Sequence, residues 1–366
     1  MTTKSNSPIL LCAGGTGGHL FPAEALAHVL AKRGLAVELA TDHRAAHFKF
    51  PARDVHLIPS ATVRGRSPAA LARTASLLAL GTVKALSLLG RIRPAVVVGF
   101  GGYPTVPPLF AASLRGVPTI LHEQNGVMGR ANRMLAARVT KIATGFPALK
   151  NVDARLQSKI AFTGNPVRPQ VVEAAATPYA APQAGGPLHL LVFGGSQGAR
   201  VMSEIVPQAI ALLNPEVRAG LAIVQQARAE DIEAVRGTYT QLGVAADCAP
   251  FFSDLPQRIA AAHLIVSRSG ASTVAELSAI GRPGILVPLP HALDQDQLAN
   301  AGMLEAAGGA LCIVQRDFTP ERLAAEIARL AGDPARLAAM AAAAKSAGTL
   351  DAAERLADVV VQVAGI

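Results

Sequence analysis

The chain has no tryptophan and only 3 tyrosines among 366 residues, an aromatic share of 4%. Proteins that hold single-stranded nucleic acid usually stack bases on aromatic rings, so this poverty argues against that class of ligand. Cysteine is scarce too. Cys12, Cys248 and Cys312 are odd in number and widely spaced, which suits neither a disulfide framework nor a metal-ligand cluster. No uninterrupted apolar run reaches the ~18–20 residues of a membrane-spanning helix. Met1 to Pro8 is short, polar and soon followed by glycines, unlike a secretory leader. A reduced, cytoplasmic protein is expected. Acidic residues are missing from one half only. Residues 1–165 hold 20 Lys+Arg against 6 Asp+Glu, a net +14, whereas residues 166–366 hold 14 against 19, a net −5. A basic half attracts polyanions: nucleic acid, anionic lipid headgroups or a phosphorylated substrate.

What is present is apolar and repetitive. At 51% hydrophobic and 16% charged, a chain of this length is expected to form two domains. PILLCA, AVELAT (36–41), PAVVVGF (94–100) and VPTILHE (117–123) read as short buried strands with a helical stretch, 23–33, between the first two. LHLLVF, LAIVQQ (221–226), AHLIVSRS (262–269) and PGILVPLP (283–290) repeat the pattern. Such alternation predicts parallel sheets with helices on both faces and a ligand crevice at the strands' carboxyl ends. The Pro-, Ala- and Gly-rich stretch 164–186 is the expected boundary.

Each half opens on a strand, a glycine-rich loop and a helix: ILLCAGGTGGH, from Ile9, and LLVFGGSQGAR, from Leu190. Free amides and the helix dipole at such a junction favour an anion, and glycine lets the backbone approach it. Neither loop has the G-x-G-x-x-G or G-x-x-x-x-G-K-[ST] spacing. Two tight turns without a ligand would look the same, but the matched placement of both favours a phosphate-type ligand. His19 follows the first loop at a helix start, where the dipole favours the neutral imidazole; it is either a proton acceptor or a packing residue. GFGGYPTVPP (99–108) is a third glycine loop. LHEQNGVMGRANR (121–133) puts His122, Glu123, Gln124 and Asn125 together at a strand end, with Asn125 alternatively capping a helix near Met128. SRSGASTVAEL (267–277) offers another phosphate seat, and Glu276 there is either a dipole partner or an acceptor for sugar hydroxyls. PLPHALDQDQLANA (288–301) gathers His291, Asp294, Gln295, Asp296, Gln297 and Asn300 beyond a strand. Ser67 to Pro94 is leucine-rich with Arg73, Lys84, Arg91 and Arg93 and no acid. A pair of core helices is one reading. With Arg64 and Arg66 upstream, an anionic membrane surface is the other.

Seven of these stretches, GGTGGHLFPA, GFGGYPTVPP, LHEQNGVMGRANR, GNPVR, GGSQGAR, SRSGASTVAEL and PHALDQDQLANA, resemble in order the MurG family of peptidoglycan N-acetylglucosaminyltransferases, over nearly the whole chain. The resemblance implies a GT-B glycosyltransferase fold, two Rossmann-like doubly wound parallel-sheet domains facing a cleft. Its expected divisions are an acceptor and membrane-side domain over 1–163, a hinge over 164–186, a UDP-GlcNAc domain over 187–345 and a final helix over 346–366 packing back on the first domain. It implies inverting transfer of GlcNAc from UDP-GlcNAc to undecaprenyl-pyrophosphoryl-MurNAc-pentapeptide, without a cofactor or metal. It further implies peripheral attachment to the cytoplasmic face of the bacterial membrane through an anionic lipid surface, other cell-wall synthesis proteins as partners, and no nucleic acid. For the donor, it implies Thr16, Gly17, Gly18, Asn125 and Arg168 from the first half. From the second it implies Ser196, Phe252 near the uracil, Ala271, Ser272 and Thr273 at the diphosphate, Glu276 at the ribose and Gln297 at the sugar. Gly14, Gly15, Gly101, Gly102 and Tyr103 would face the acceptor's pyrophosphate. His19 is the expected base, with Glu123 its rival or orienting partner. Arg130, and Gln295-Asp296 before Gln297, depart from the family's usual residues.

Other readings differ in what they need. A UDP-GlcNAc 2-epimerase shares the fold and the nucleotide sugar but calls for more carboxylates. A diacylglycerol glucosyltransferase lacks motifs such as HEQN. A nicotinamide-dependent dehydrogenase needs a glycine spacing absent here, although Asp42 is suitably placed.

Overall fold

The computed structural model describes residues 7–45, 49–61, 67–150, 152–183, 186–195, 198–290 and 293–366. They form two compact units. One runs up to Arg168 and takes in Leu350–Ile366; the other is Pro169–Thr349.

The first unit contains, in chain order, β1 (Ile9–Cys12), α1 (Gly17–Lys32), β2 (Val37–Thr41), β3 (Val55–Leu57), α2 (Pro68–Ile92), β4 (Val96–Gly99), α3 (Val106–Leu114), β5 (Thr119–Glu123), α4 (Arg130–Ala136), β6 (Lys141–Thr144) and β7 (Ile160–Phe162). The strands pair in parallel in the order β3-β2-β1-β4-β5-β6-β7. The second unit contains α5 (Pro169–Ala174), β8 (Leu188–Phe193), α6 (Arg200–Leu212), α7 (Pro215–Ala219), β9 (Leu221–Gln226), α8 (Ile232–Gln241), β10 (Ala245–Ala249), α9 (Leu255–Ala261), β11 (Leu264–Ser267), α10 (Ala271–Ile280), β12 (Gly284–Leu286), α11 (Asp296–Ala306), β13 (Ala310–Cys312), α12 (Pro320–Ala331) and α13 (Pro334–Ala347). Its parallel order is β10-β9-β8-β11-β12-β13. The last helix, α14 (Ala352–Ala364), belongs to the first unit.

Each sheet reverses its strand order beside its opening strand, between β1 and β4 and between β8 and β11. Ligand crevices form at such points. The central strands ILLC and VVVG are wholly buried, as parallel strands covered on both faces must be. α1 sets Leu20, Ala23, Leu26, Ala27 and Leu30 against them, and α14 completes that core with Leu356, Ala357, Val360 and Ala364. An Arg33–Asp358 ion pair at 2.7 Å ties the two helices at the surface.

The chain changes unit after Arg168. Asn165 Nδ2 donates to the Gln124 carbonyl at 2.8 Å, on the first unit's side. On the other side, buried Arg282 donates to the carbonyls of Thr177, Pro178 and Ala260. It lies 5.3 Å from the Tyr179 ring. This Pro- and Ala-rich stretch is therefore pinned to the second unit.

Ser67 to Pro94 forms one 25-residue helix rather than a pair. Ser67 caps it by accepting the Ala70 N–H. Its buried stripe runs through Thr74, Gly81, Ala85 and Leu88. At Gly81 a Cβ would fall 2.1 Å from the Pro59 carbonyl oxygen, so only glycine permits this approach. The outer face leaves Leu80 48% and Val83 64% exposed. The expectation that nothing here is long and apolar enough to span a membrane needs correction. Ala72–Ile92 qualifies by length and composition with only 22% of the window buried. Arg73, Lys84 and Arg91 interrupt the run in sequence without abolishing its apolar character.

Candidate active site

In the first unit the glycine loops converge on one side chain. His19 lies in the first turn of α1. Its Nδ1 is 3.2 Å from Gln124 Oε1. Gln124 Nε2 donates to the Phe100 carbonyl at 2.7 Å. A carbonyl only accepts, so the amide nitrogen must face Phe100 and Oε1 must face the imidazole. Nδ1 therefore carries the proton, and Nε2 presents a lone pair. Burial lowers the His19 pKa below its ordinary value. The Gln124 bond and the Phe100 carbonyl work against that shift, and the charge of Arg44 adds to it. A neutral imidazole with a directed Nε2 lone pair is equipped to take a proton.

The glycines shape this arrangement. A Cβ on Gly14 or Gly102 would lie 3.3 Å from the imidazole, and one on Gly101 would lie 3.5 Å away. Gly102 also needs its φ of 76°. Gly15 is half-exposed in the loop, and Tyr103 opens a short 3-10 turn. Thr16 is the exposed N-cap of α1 and makes no side-chain capping bond. Gly17 adjoins the Phe21 ring, while a Cβ on Gly18 would meet nothing within 4 Å. Packing within this unit does not explain glycine at position 18. Arg168 stacks 4.0 Å over the Phe21 ring.

Glu123 is not the partner of His19; Gln124 is. Burial raises the Glu123 pKa while its hydrogen bonds pull it down. Oε1 accepts the backbone and side-chain amides of Asn125 at 3.0 and 3.1 Å. Oε2 accepts from Gly129 N at 2.9 Å and Asn132 Nδ2 at 2.6 Å. The carboxyl organises the 123–132 loop. Asn125 is turned onto it, and Gly129 rather than Asn125 stands at the N-cap of α4.

In the second unit the loop after β8 borders an open pocket of about 700 Å³, lined by Gly194, Gly198, Arg268, Thr273, Gln297 and Gln315 among others. Ser196 and His291, like Arg64 and Arg66 of the first unit, lie outside the described residues. α10 begins at Ala271, directly beside the pocket's Gly270 and Thr273. Ser272 Oγ is buried without a partner. Glu276 is 6% exposed. It falls in the second turn, one turn too late for a first-turn dipole partner. Ser269 Oγ donates to the Gln297 carbonyl at 2.8 Å. Gln297 Oε1 accepts the Leu289 N–H at 3.0 Å, leaving its amide N–H pair to donate.

Two features escaped the sequence reading. Arg268, 8% exposed, donates to the carbonyls of Val287 and Pro288 and to Gln315 Oε1. None of these is a carboxylate, and burial lowers its pKa. A buried guanidinium that meets no carboxylate, in a pocket whose one acid, Glu204, is paired with Arg200 at 2.6 Å, favours an anionic ligand; its signal was a cation directly before a Ser-Gly loop. Phe252 is buried under the Arg258 guanidinium at 4.1 Å, whereas Phe251 is 65% exposed. The accessible ring belongs to Phe251. Asp294 and Gln295 adopt left-handed φ of 65° and 54° at the entry to α11. With Asp296 they form an Asp-x-Asp triplet, and Asp296 Oδ1 accepts the Gln297 N–H at 2.8 Å. Among the described residues no three His, Cys, Asp or Glu side chains cluster as metal ligands.

Comparison with known proteins follows these divisions. The glycosyltransferase family 28 N-terminal domain matches residues 9–144, and the family 28 C-terminal domain matches residues 189–356. A Rhodopseudomonas palustris protein called UDP-N-acetylglucosamine–N-acetylmuramyl-(pentapeptide) pyrophosphoryl-undecaprenol N-acetylglucosamine transferase is 63% identical over 360 residues, covering 98% of both chains. A Bradyrhizobium protein of the same name is 59% identical over the full length of both. The crystal structure of Acinetobacter baumannii MurG superposes with a TM-score of 0.79 at 28% identity, covering 97% of this chain and 99% of that one. A putative UDP-N-acetylglucosamine 2-epimerase from Listeria monocytogenes, with a TM-score of 0.67 at 14% identity over 98% of this chain and 96% of its own, shares the fold alone. The two Rossmann-like domains make up a GT-B fold, and the chain belongs to glycosyltransferase family 28, within it to the UDP-N-acetylglucosamine–N-acetylmuramyl-(pentapeptide) pyrophosphoryl-undecaprenol N-acetylglucosamine transferases.

Proposed function

We propose that this protein is an inverting hexosyltransferase that moves GlcNAc from UDP-GlcNAc to undecaprenyl-pyrophosphoryl-MurNAc-pentapeptide, in peptidoglycan synthesis. The observation that carries the mechanism is His19, with Nδ1 committed to Gln124 and Nε2 free. The acceptor hydroxyl attacks the anomeric carbon and gives its proton to Nε2. The bond from that carbon to the diphosphate oxygen breaks on the opposite face, and UDP leaves. Charge developing on the diphosphate is met by the α10 N-terminus, Arg268 and the Gln297 amide. Glu276 is assigned to the ribose hydroxyls and the exposed Phe251 ring to stacking on the uracil. The amides of Gly17 and Gly18, at the start of α1, are assigned to the reacting sugar.

The exposed face of α2 supports peripheral attachment to an anionic membrane. Leu80 and Val83 offer apolar area, and Arg73, Lys84 and Arg91 offer charge. That surface suits an acceptor anchored in lipid and is unnecessary for a soluble-sugar epimerase.

The test is UDP release from UDP-GlcNAc with and without a short-chain lipid-linked MurNAc-pentapeptide. Release that requires the acceptor and is lost in Glu276→Ala supports the transferase. Epimerised sugar without UDP release would replace it with the epimerase.

A further inference from the structure

A groove of about 870 Å³ opens in the first unit where the carboxyl ends of β2 and β3 meet α2. Its walls carry Arg44, Arg73, Lys84 and His43 against one acid, Asp42. Asp42 is already committed. It accepts the Arg44 N–H at 2.9 Å and the Arg44 Nε and Nη2 at 3.0 and 2.6 Å. Arg73 and Lys84 are exposed and meet no acceptor among the described residues. Eleven positions apart, they lie about three turns and roughly 16 Å from one another along one face of the helix. They leave the groove with an uncompensated charge of about two, a fit for an extended dianion held between them.

Its neighbours give the groove a direction. On one side β2 joins the His19 loop: Ala13 N donates to the Ala40 carbonyl at 3.2 Å, and Thr41 Oγ1 donates to the Ala13 carbonyl at 2.8 Å. Arg44 is near enough for its charge to act on the imidazole. On the other side the groove runs past Leu57 and Leu77 to the outer face of α2, with Leu80 and Val83. The order along this unit is base, cationic groove, apolar helix face. The acceptor has the same order: sugar hydroxyl, pyrophosphate, polyprenyl chain. The glycine loop offers less room than its sequence implies, because the imidazole occupies the space beside Gly14 and Gly102.

We propose that the groove between the β2 and β3 ends and α2, through Arg73, Lys84 and Arg44, seats the pyrophosphate of the lipid-linked acceptor. This rests on the transferase reading above. The chemistry required is a dianionic pyrophosphate ester with an apolar tail, and an anionic phospholipid headgroup is the competing source of it.

The experiment uses the full-length protein, without vesicles, and a water-soluble short-chain acceptor, so that general attraction to a membrane plays no part. In Arg73→Gln/Lys84→Gln the acceptor KM should rise at least tenfold, while the donor KM and the thermal stabilisation by UDP stay unchanged. Arg155→Gln, an exposed site away from the groove, should match the wild type. Inorganic pyrophosphate should inhibit wild type competitively against the acceptor and inhibit the double variant at least tenfold less. An unchanged acceptor KM in an active double variant overturns the assignment. So does protection from pyrophosphate inhibition failing to depend on the acceptor, or inhibition by phosphatidylglycerol vesicles in place of pyrophosphate. Absence of acceptor-dependent UDP release in the wild type would instead remove the transferase reading itself, and the groove's role with it.

Discussion

The two units share a strand order and a glycine-rich loop after the opening strand, yet they use the loop in opposite ways. In the first, GGTGGH ends in a histidine whose ring fills the space beside Gly14 and Gly102. In the second, the loop borders an open pocket of about 700 Å³ with a buried, acid-free arginine on its wall. On the proposed function, the same junction of strand, glycine and helix serves a proton acceptor in one half and an anion site in the other. What differs is the residue after the glycines and the side chain opposite: Gln124 fixes a tautomer in one, and Arg268 supplies charge in the other. A repeated motif reports a repeated backbone geometry, and the chemistry has to be read from the side chains that enter it.

The sharpest way to break the comparison is to remove the proposed base. His19→Ala should lower kcat by about 10³-fold, within the range for general base catalysis. UDP should still stabilise the variant as it does the wild type, because the second unit is untouched. Loss of both properties together would show that the loops are not functionally separate. In the wild type, kcat/KM should fall as pH drops through the His19 pKa, which lies below the ordinary 6.5; a fall centred above 6.5 would exclude His19 as the titrating base.

A smaller effect is expected at Gln124. Gln124→Leu removes the acceptor for Nδ1–H and frees the imidazole to place its proton on Nε2. The expected loss is about 10²-fold in kcat, with donor KM unchanged. On the donor side, Arg268→Gln should raise the donor KM by about tenfold, the scale of one charge-assisted hydrogen bond. It should leave the pH–rate profile in place. If Arg268→Gln shifts that profile while Gln124→Leu does not, the division of labour is the reverse of the one argued here.

Much of the fold is legible in the sequence wherever burial leaves a strong pattern. Runs such as LLC, VVV and LIV are strands because only β-branched and apolar residues suit a sheet covered on both faces. β3, β6, β7, β10 and β13 escape the reading. β3, β7 and β10 are largely exposed or half-buried, as in VHL and AADCA, while β6 and β13, KIAT and ALC, are better covered but only four and three residues long. The site divides similarly. Its glycines and His19 announce themselves through local order, whereas the Gln124–His19 contact spans 105 positions. Chain spacing carries no trace of such a contact; it arises because β5 and the β1 loop end at the same edge of the sheet. Glu123 misled for the same reason. A carboxylate beside a catalytic motif looks reactive until its four donors are seen.

The smallest expected effect concerns stability and tests whether the first unit is also the acid-sensitive one. His122 is fully buried; its Nε2 donates to the Gly164 carbonyl at 3.1 Å and its Nδ1 has no partner. Burial pushes its pKa down to about 4, with the Gly164 bond opposing. Between that value and the ordinary 6.5, the unfolded chain binds a proton that the folded chain refuses, so stability falls as pH falls through this window. The slope from one such group is at most about 1.4 kcal/mol per pH unit. His19 adds in the same direction. In the second unit His263 is also shifted down, mainly by burial, but it is only half-buried and contributes less. Amide exchange should therefore show protection of β5 declining faster than that of β11 between pH 6.5 and 4. His122→Phe should flatten the β5 response and leave β11 as it was. Equal decline in both units would mean that His122 is not held neutral, and that Gly164 is not tethered to β5 through its imidazole.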